Sequence, residues 1–146
     1  MPADTAVLAD VYRDLHAHPE LSFHEHRTAA LVADRLTALG YDVTTGVGRT
    51  GVVAVLRNGD GPTALLRADM DALPVLEKTE LPYASTVRGT DPDGIDVPVM
   101  HACGHDVHVT CLLGAAEELM VDRSTWRGTV VLVFQPAEEF GGGAQS

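Results

Sequence analysis

The sequence predicts an α/β fold, and three observations carry that expectation. Thr129-Val130-Val131-Leu132-Val133-Phe134 is a near-continuous apolar run, the pattern of a strand buried on both faces. A segment with helical spacing precedes it and another apolar run, Pro62-Thr63-Ala64-Leu65-Leu66-Arg67, lies upstream, so strand, helix and strand imply a parallel pair. Composition agrees, because 45% hydrophobic residues with only 5% aromatics make a core built mainly from Leu, Val and Ala. At 146 residues a single domain spanning 1–146 is expected.

Each element follows from its local pattern. From Asp4 to His18, Val7, Leu8, Val11, Tyr12 and Leu15 recur at helical spacing, with Asp4 placed as N-cap and Pro19 closing the run. A second helix is expected from about His24 to Leu39, with Leu31, Val32, Leu36 and Leu39 inward and Gly40 as its left-handed stop. Three strands follow, over residues 41–44, 51–56 and 62–67, some of them paired as hairpins and separated by turns such as Asn58-Gly59-Asp60-Gly61. Gly46-Val47-Gly48-Arg49-Thr50-Gly51 lies between strands and reads as a hairpin turn, not a phosphate loop. Residues 74–98, with Pro74, Pro82, Pro92, Pro98 and the turn Asp91-Pro92-Asp93-Gly94, read as irregular surface loop. A helix from about Val107 to Val121, capped near Asp106, then leads through Arg127-Gly128 into the last strand.

Charge narrows the function classes. A net charge of −11 opposes nucleic-acid and anionic-membrane partners, leaving a small molecule as the expected partner. No apolar run has membrane-spanning length, and Met1-Pro2-Ala3-Asp4-Thr5 lacks the basic start of a secretory signal, so a cytoplasmic protein is expected. Two cysteines fit a metal ligand or reactive thiol in a reducing compartment, with Cys111 expected in the core.

The chemistry concentrates in three clusters. His101-Ala102-Cys103-Gly104-His105-Asp106 packs a thiol, two imidazoles and a carboxylate together, and Cys103 and His105, two apart in an extended loop, would turn the same way and share one ion. Glu138 and Glu139 follow the last strand; one can ligate a metal while its neighbour takes a proton from an activated water. Asp69 and Asp71 follow the upstream strand and suit hydrogen bonding to a ligating group. Taken singly, each cluster has a plainer reading: a cysteine beside a capping segment, a solvated acidic loop end, a turn before Pro74. In open parallel sheets ligands bind past the carboxyl ends of strands, which brings the three together. Of the other histidines, His24 and His26 read as surface residues, His16 and His18 are ambiguous, and His101 and His108 suit hydrogen bonding beside the pair. A thiol nucleophile ranks well below metal binding, since a base two residues from Cys103 seldom aligns with it.

Read in order, Asp14-Leu15-His16-Ala17-His18-Pro19-Glu20-Leu21-Ser22, Gly46–Ala54, Leu66-Arg67-Ala68-Asp69-Met70-Asp71-Ala72-Leu73-Pro74, Leu81-Pro82-Tyr83-Ala84-Ser85, Met100–Asp106 and Pro136-Ala137-Glu138-Glu139 resemble the aminoacylase-like metallopeptidases. The branch most resembled is the N-acyl-amino-acid amidohydrolases, including hippurate and indole-acetyl-amino-acid hydrolases. The resemblance implies a three-layer α/β/α catalytic domain of the zinc-exopeptidase type, a smaller lid domain, and hydrolysis of N-acyl amino acids at a centre of two divalent ions. Zinc and manganese are the expected metals, with cobalt and nickel also suited. It matches Cys103, His105 and Glu139 to metal ligands, Glu138 to the general base, and Asp71 to the aspartate that orients a metal-side group.

Two departures accompany the match. Phe140 stands where this branch usually has glycine, and the chain reaches Ser146 before the two further histidine ligands and the lid. The expectation is therefore the N-terminal part of a hydrolase, incomplete and with the lid absent. The alternative is a truncated, catalytically inactive fragment that binds at most one metal ion. An unfinished sheet also predicts a homodimer or other self-association.

Overall fold

The computed structural model describes residues 3–146; Met1 and Pro2, part of the N-terminal start read above, lie outside the described residues. Its elements are α1 (Thr5–Ala17), α2 (His26–Ala38), β1 (Asp42–Val47), β2 (Gly51–Asn58), β3 (Thr63–Asp69), β4 (Arg88–Thr90), β5 (Asp96–Pro98), α3 (His105–Val121) and β6 (Gly128–Gln135). The fold class is α/β, as the sequence predicts.

The main sheet has the order β1-β2-β6-β3. β1 and β2 form the expected antiparallel hairpin. β3 and β6 pair in parallel from Thr63↔Thr129 to Asp69↔Gln135, with α3 as their crossover. β2 and β3 do not pair: β6 inserts between them, antiparallel to β2 from Val52↔Phe134 to Asn58↔Gly128. The segment read as loop carries a small antiparallel hairpin, β4 with β5. Its apolar residues Val87, Val97 and Val99 pack with Leu21 and Ala72, which sequence period alone does not reveal in runs this short.

One face of the sheet makes the core. Val52, Ala54 and Leu56 of β2 and Val130, Leu132 and Phe134 of β6 are buried against Val11 and Leu15 of α1, Val32 and Leu36 of α2, and Val109, Leu112 and Leu113 of α3. Each such large side chain contributes roughly 1.5–3 kcal/mol by leaving water. The alternating Val53, Val55, Val131 and Val133 are half-buried, and Leu65 is 62% exposed. Of the three layers implied by the resemblance, the described residues supply the sheet and one helical layer.

Capping explains where the helices differ from expectation. Asp4 caps α1, its carboxylate accepting the Ala6 N–H at 2.9 Å. α2 starts two residues later than its periodicity suggests, because Phe23 takes the left-handed conformation (φ 62°) and a distant carboxylate serves the first turn. Glu20 accepts the N–H groups of both Arg27 and Thr28 at 2.8 Å. In α2, Val32 and Leu36 are fully buried, whereas Leu31 and Leu39 only border the core. α3 begins at His105 with left-handed Gly104 (φ 82°) as N-cap, so Asp106 lies inside the first turn and is not the cap. Its carboxylate is spent on His16, 90 residues away in sequence. Cys111, expected in the core, is exposed: the buried set Val109, Leu112, Leu113 and Ala116 fixes the helical phase and turns position 111 outward.

Candidate metal centre

β3 and β6 end side by side, Asp69 opposite Gln135, and this register brings two clusters to one edge of the sheet. The third arrives with α3, whose first residue is His105. Cys103 and His105 are not joined by an extended loop; the left-handed Gly104 between them makes a tight turn into the helix. The turn still gathers the donors. Ligand atoms of Cys103, His105 and Glu139 lie within 4.8 Å of one another, and so do those of Asp69, His105 and His108.

His105 is the pivot. Its Nδ1–H donates to the Asp71 carbonyl at 2.8 Å, which leaves Nε2 as the ring's free donor atom. Around Nε2 stand Asp69 Oδ1 at 3.5 Å, Glu138 Oε2 at 3.8 Å and Glu139 Oε1 at 3.9 Å. Both glutamates reach one atom because the chain has left β6 and turned. Burial pulls the His105 pKa down, but Asp71 and Asp69 outweigh it and hold the imidazole up at about 8. The Glu139 carboxylate beside it pushes the Cys103 thiol above its usual range.

Asp71 organises the site. It is almost fully buried, and its carboxylate accepts Glu138 N–H at 3.1 Å, Glu139 N–H at 3.0 Å and Ser22 Oγ–H at 2.6 Å. Burial raises its pKa, yet His105, Ser22 and those backbone donors together bring it below the ordinary value. Asp69 likewise lies below its ordinary value: burial opposes ionisation, and His108, hydrogen-bonded at 2.6 Å, with His105 overcomes it.

The remaining histidines divide. His24 and His26 are exposed. His18 bonds to the Asp14 carbonyl of its own helix and stays outside the centre. His16 is buried, with Asp106 Oδ2 2.6 Å from Nδ1 and Glu77 Oε1 3.0 Å from Nε2, a three-residue bridge between α1, α3 and the crossing segment. The sequence suits His101 to hydrogen bonding beside the pair, but in the structure neither ring nitrogen has a partner, and burial depresses its pKa to about 4. Glu25, Glu77 and Ser22 also hold the site together, yet no spacing rule separates them in the sequence from surface polar residues.

The donor set fits a divalent ion. Thiolate, imidazole and carboxylate together suit zinc, manganese and their neighbours. Glu139 Oε1 is buried without any hydrogen-bond partner, a costly state for a carboxylate oxygen that a cation would relieve. Beside Glu139 opens a cleft of about 600 Å³, lined by Leu21, Phe23, Arg49, Leu73 and Phe140 among others. Phe140 is 63% exposed and stands edge-on to Phe23, with the Arg49 guanidinium 4.4 Å above the Phe23 ring.

Comparison with known proteins places this geometry in context. The model of peptidase family M20/M25/M40 matches residues 65–146. Thermostable carboxypeptidase 1 of Saccharolobus solfataricus is 47% identical over 137 residues, 92% of this chain and 33% of that protein. IAA-amino acid hydrolase ILR1-like 6 of Arabidopsis thaliana is 43% identical over 145 residues, 99% of this chain and 29% of the relative. The crystal structure of Bacillus subtilis YXEP, described as a dinuclear metal binding peptidase from the M20 family, superposes with TM-score 0.85 at 41% identity, covering 98% of this chain and 39% of that one. The chain spans about a third of the length of the curated relatives it matches.

Proposed function

The chain belongs to peptidase family M20/M25/M40, and we propose that it carries the water-activating half of a metal-dependent amidohydrolase acting on N-acyl amino acids. The observation that carries this reading is the convergence of Glu138 and Glu139 on His105 Nε2, at 3.8 and 3.9 Å, with Cys103 beside them. Cys103, His105 and Glu139 would hold a divalent ion, zinc or manganese, of a two-metal centre. That ion would supply Lewis acidity to the amide carbonyl and lower the pKa of a water.

The chain's own residues do the rest. Glu138 is the more exposed of the pair, its side chain 41% accessible against 20% for Glu139, which leaves it the freer to exchange a proton and act as general base. It takes a proton from the water and delivers it to the leaving amine. Asp71 orients the site by holding the backbone N–H groups of both glutamates and fixing His105 through its own carbonyl. The same reading places the protein in the cytoplasm, supported by two exposed free thiols; no helix among the described residues is long and apolar enough to cross a membrane. The half-open sheet face around Leu65 supports self-association as a homodimer, which light scattering reads directly.

A second reading, that this chain alone takes up one ion and turns nothing over, is favoured by the sharing of His105. Both donor trios need its Nε2, and Nδ1 is already committed to Asp71, so one imidazole cannot complete both. Hydrolysis of a panel of N-acyl amino acids with manganese or zinc decides between them. Turnover that falls by roughly 10²–10⁴ in Glu138→Gln, with metal content unchanged, supports the base role; an unchanged rate would sink it.

A further inference from the structure

Beneath the glutamate pair lies a third carboxylate that the proposed chemistry does not use. Glu25 is 0% exposed, and both of its oxygens are taken. Ala137 N–H donates to Oε1 at 2.8 Å, and Thr50 Oγ1–H donates to Oε2 at 2.5 Å. Glu25 therefore ties the start of α2 to the β1–β2 turn and to the loop that follows β6. Together with the two N–H groups that Asp71 accepts, it completes a run: the backbone N–H groups of Ala137, Glu138 and Glu139 each end on a buried carboxylate.

Backbone conformation points to the same place. Four non-glycine residues among those described have clearly left-handed φ: Phe23 (62°), Arg49 (81°), Glu80 (58°) and Ala137 (48°). Ala137 is itself a partner of Glu25, Arg49 precedes the other partner, and Phe23 lies two residues before Glu25. Alanine does not hold that conformation by preference, so the surroundings must impose it. Ala137 is also 0% exposed, so water cannot replace a lost partner for its N–H.

We propose that Glu25 is a positioning residue of the metal centre: by fixing Ala137 N–H it sets the left-handed turn that aims Glu138 and Glu139 at His105. The consequence for metal rests on the function proposed above, but the positioning itself does not. Glu25→Gln should preserve it, because the amide oxygen still accepts Ala137 N–H while the NH₂ donates to a Thr50 hydroxyl turned to accept. Glu25→Ala should abolish it.

The test is amide hydrogen exchange by NMR on the metal-free full chain, followed by cobalt titration through the thiolate-to-cobalt absorption of Cys103. In Glu25→Ala, exchange at Ala137, Glu138 and Glu139 is expected to rise about tenfold or more while Val131 and Leu132 in β6 hold wild-type rates; Glu25→Gln stays near wild type. Cobalt affinity should fall about tenfold in Glu25→Ala and return in Glu25→Gln. Unchanged exchange at the three amides, or an equal rise throughout β6, would overturn the proposal. If Glu25→Ala does not fold, Thr50→Val, which removes only the clamp on Oε2, is read the same way, with faster exchange at Ala137 expected and wild-type exchange overturning it. Absence of thiolate–cobalt absorption in the wild type would refute the metal reading, while the exchange data still decide the role of Glu25.

Discussion

Asp71→Asn is the sharpest single perturbation available. The carboxylate receives three donors, Glu138 N–H on Oδ1 and Glu139 N–H with Ser22 Oγ–H on Oδ2, in a site that is 1% exposed. The amide has the same shape but only one accepting oxygen. If its NH₂ replaces Oδ1 it meets Glu138 N–H; if it replaces Oδ2 it meets Glu139 N–H, and only the Ser22 hydroxyl can turn to accept. One hydrogen bond to a charged group is lost, about 1.5–3 kcal/mol, and the survivors lose their charge assistance, so the sum is about 2–4 kcal/mol. For a domain of this size that is a fall in Tm of roughly 5–15 °C. The pH dependence has a definite sign. Asp71 lies below its ordinary pKa in the folded state, against the pull of burial, so its contribution is full above the unfolded value of about 3.9 and is lost as pH falls through the folded one. Thermal unfolding of wild type and variant at neutral pH and at about pH 3, with Asp60→Asn as an exposed control, reads both effects. A variant within about 0.5 kcal/mol of wild type at neutral pH, or a gap that persists undiminished in acid, would refute the reasoning.

Three further outcomes follow from the same geometry. Burial opposes the charged form of His16, but its bonds to Asp106 and Glu77 prevail and raise its pKa; His16→Ala should cost about 3 kcal/mol by removing the one cationic partner that two buried carboxylates share, although Glu77 keeps donors from Thr79 and Ser85 and Asp106 keeps the Val107 N–H. Because that pKa is raised, the stabilisation is full below the unfolded value of about 6.5 and shrinks as pH rises past it, which urea midpoints across neutral pH will show. Metal uptake must displace both the proton that His105 holds up to about 8 and the thiol proton of Cys103, held above its usual range, so affinity should drop as pH falls; calorimetry in two buffers of different ionisation enthalpy counts the released protons. Finally, a Cβ on Gly143 would lie 1.6 Å from the Pro136 carbonyl oxygen, so Gly143→Ala must displace the loop behind the glutamate pair, and it should cost about 1–3 kcal/mol in urea unfolding and weaken metal binding together.

What could be read from sequence, and what could not, separates by range. Periodicity located α1 and α2, and the apolar run after Gly128 located β6, because those signals are local. The insertion of β6 between β2 and β3 was not legible, since both candidate partners are apolar strands and nothing local says which edge a returning strand will choose. The placement of Cys103, His105, Glu138 and Glu139 in one neighbourhood was legible because the glutamates follow a parallel strand end and Cys103 and His105 open the helix that crosses between the paired strands. Asp106 has the pattern of a cap and Glu25 carries no local signal at all; each is consumed by a partner about 90 or more positions away, a choice made by tertiary packing. Glu20 shows the converse, capping α2 from outside the window in which caps are sought.

Everything proposed for this chain's chemistry depends on Cys103, His105 and Glu139 sharing one metal ion. Elemental analysis of the purified chain, wild type beside Cys103→Ala, tests it most directly. The wild type should carry about one divalent ion per chain and the variant little. Equal metal content in both, or none in either after equilibration with zinc or manganese, would contradict it.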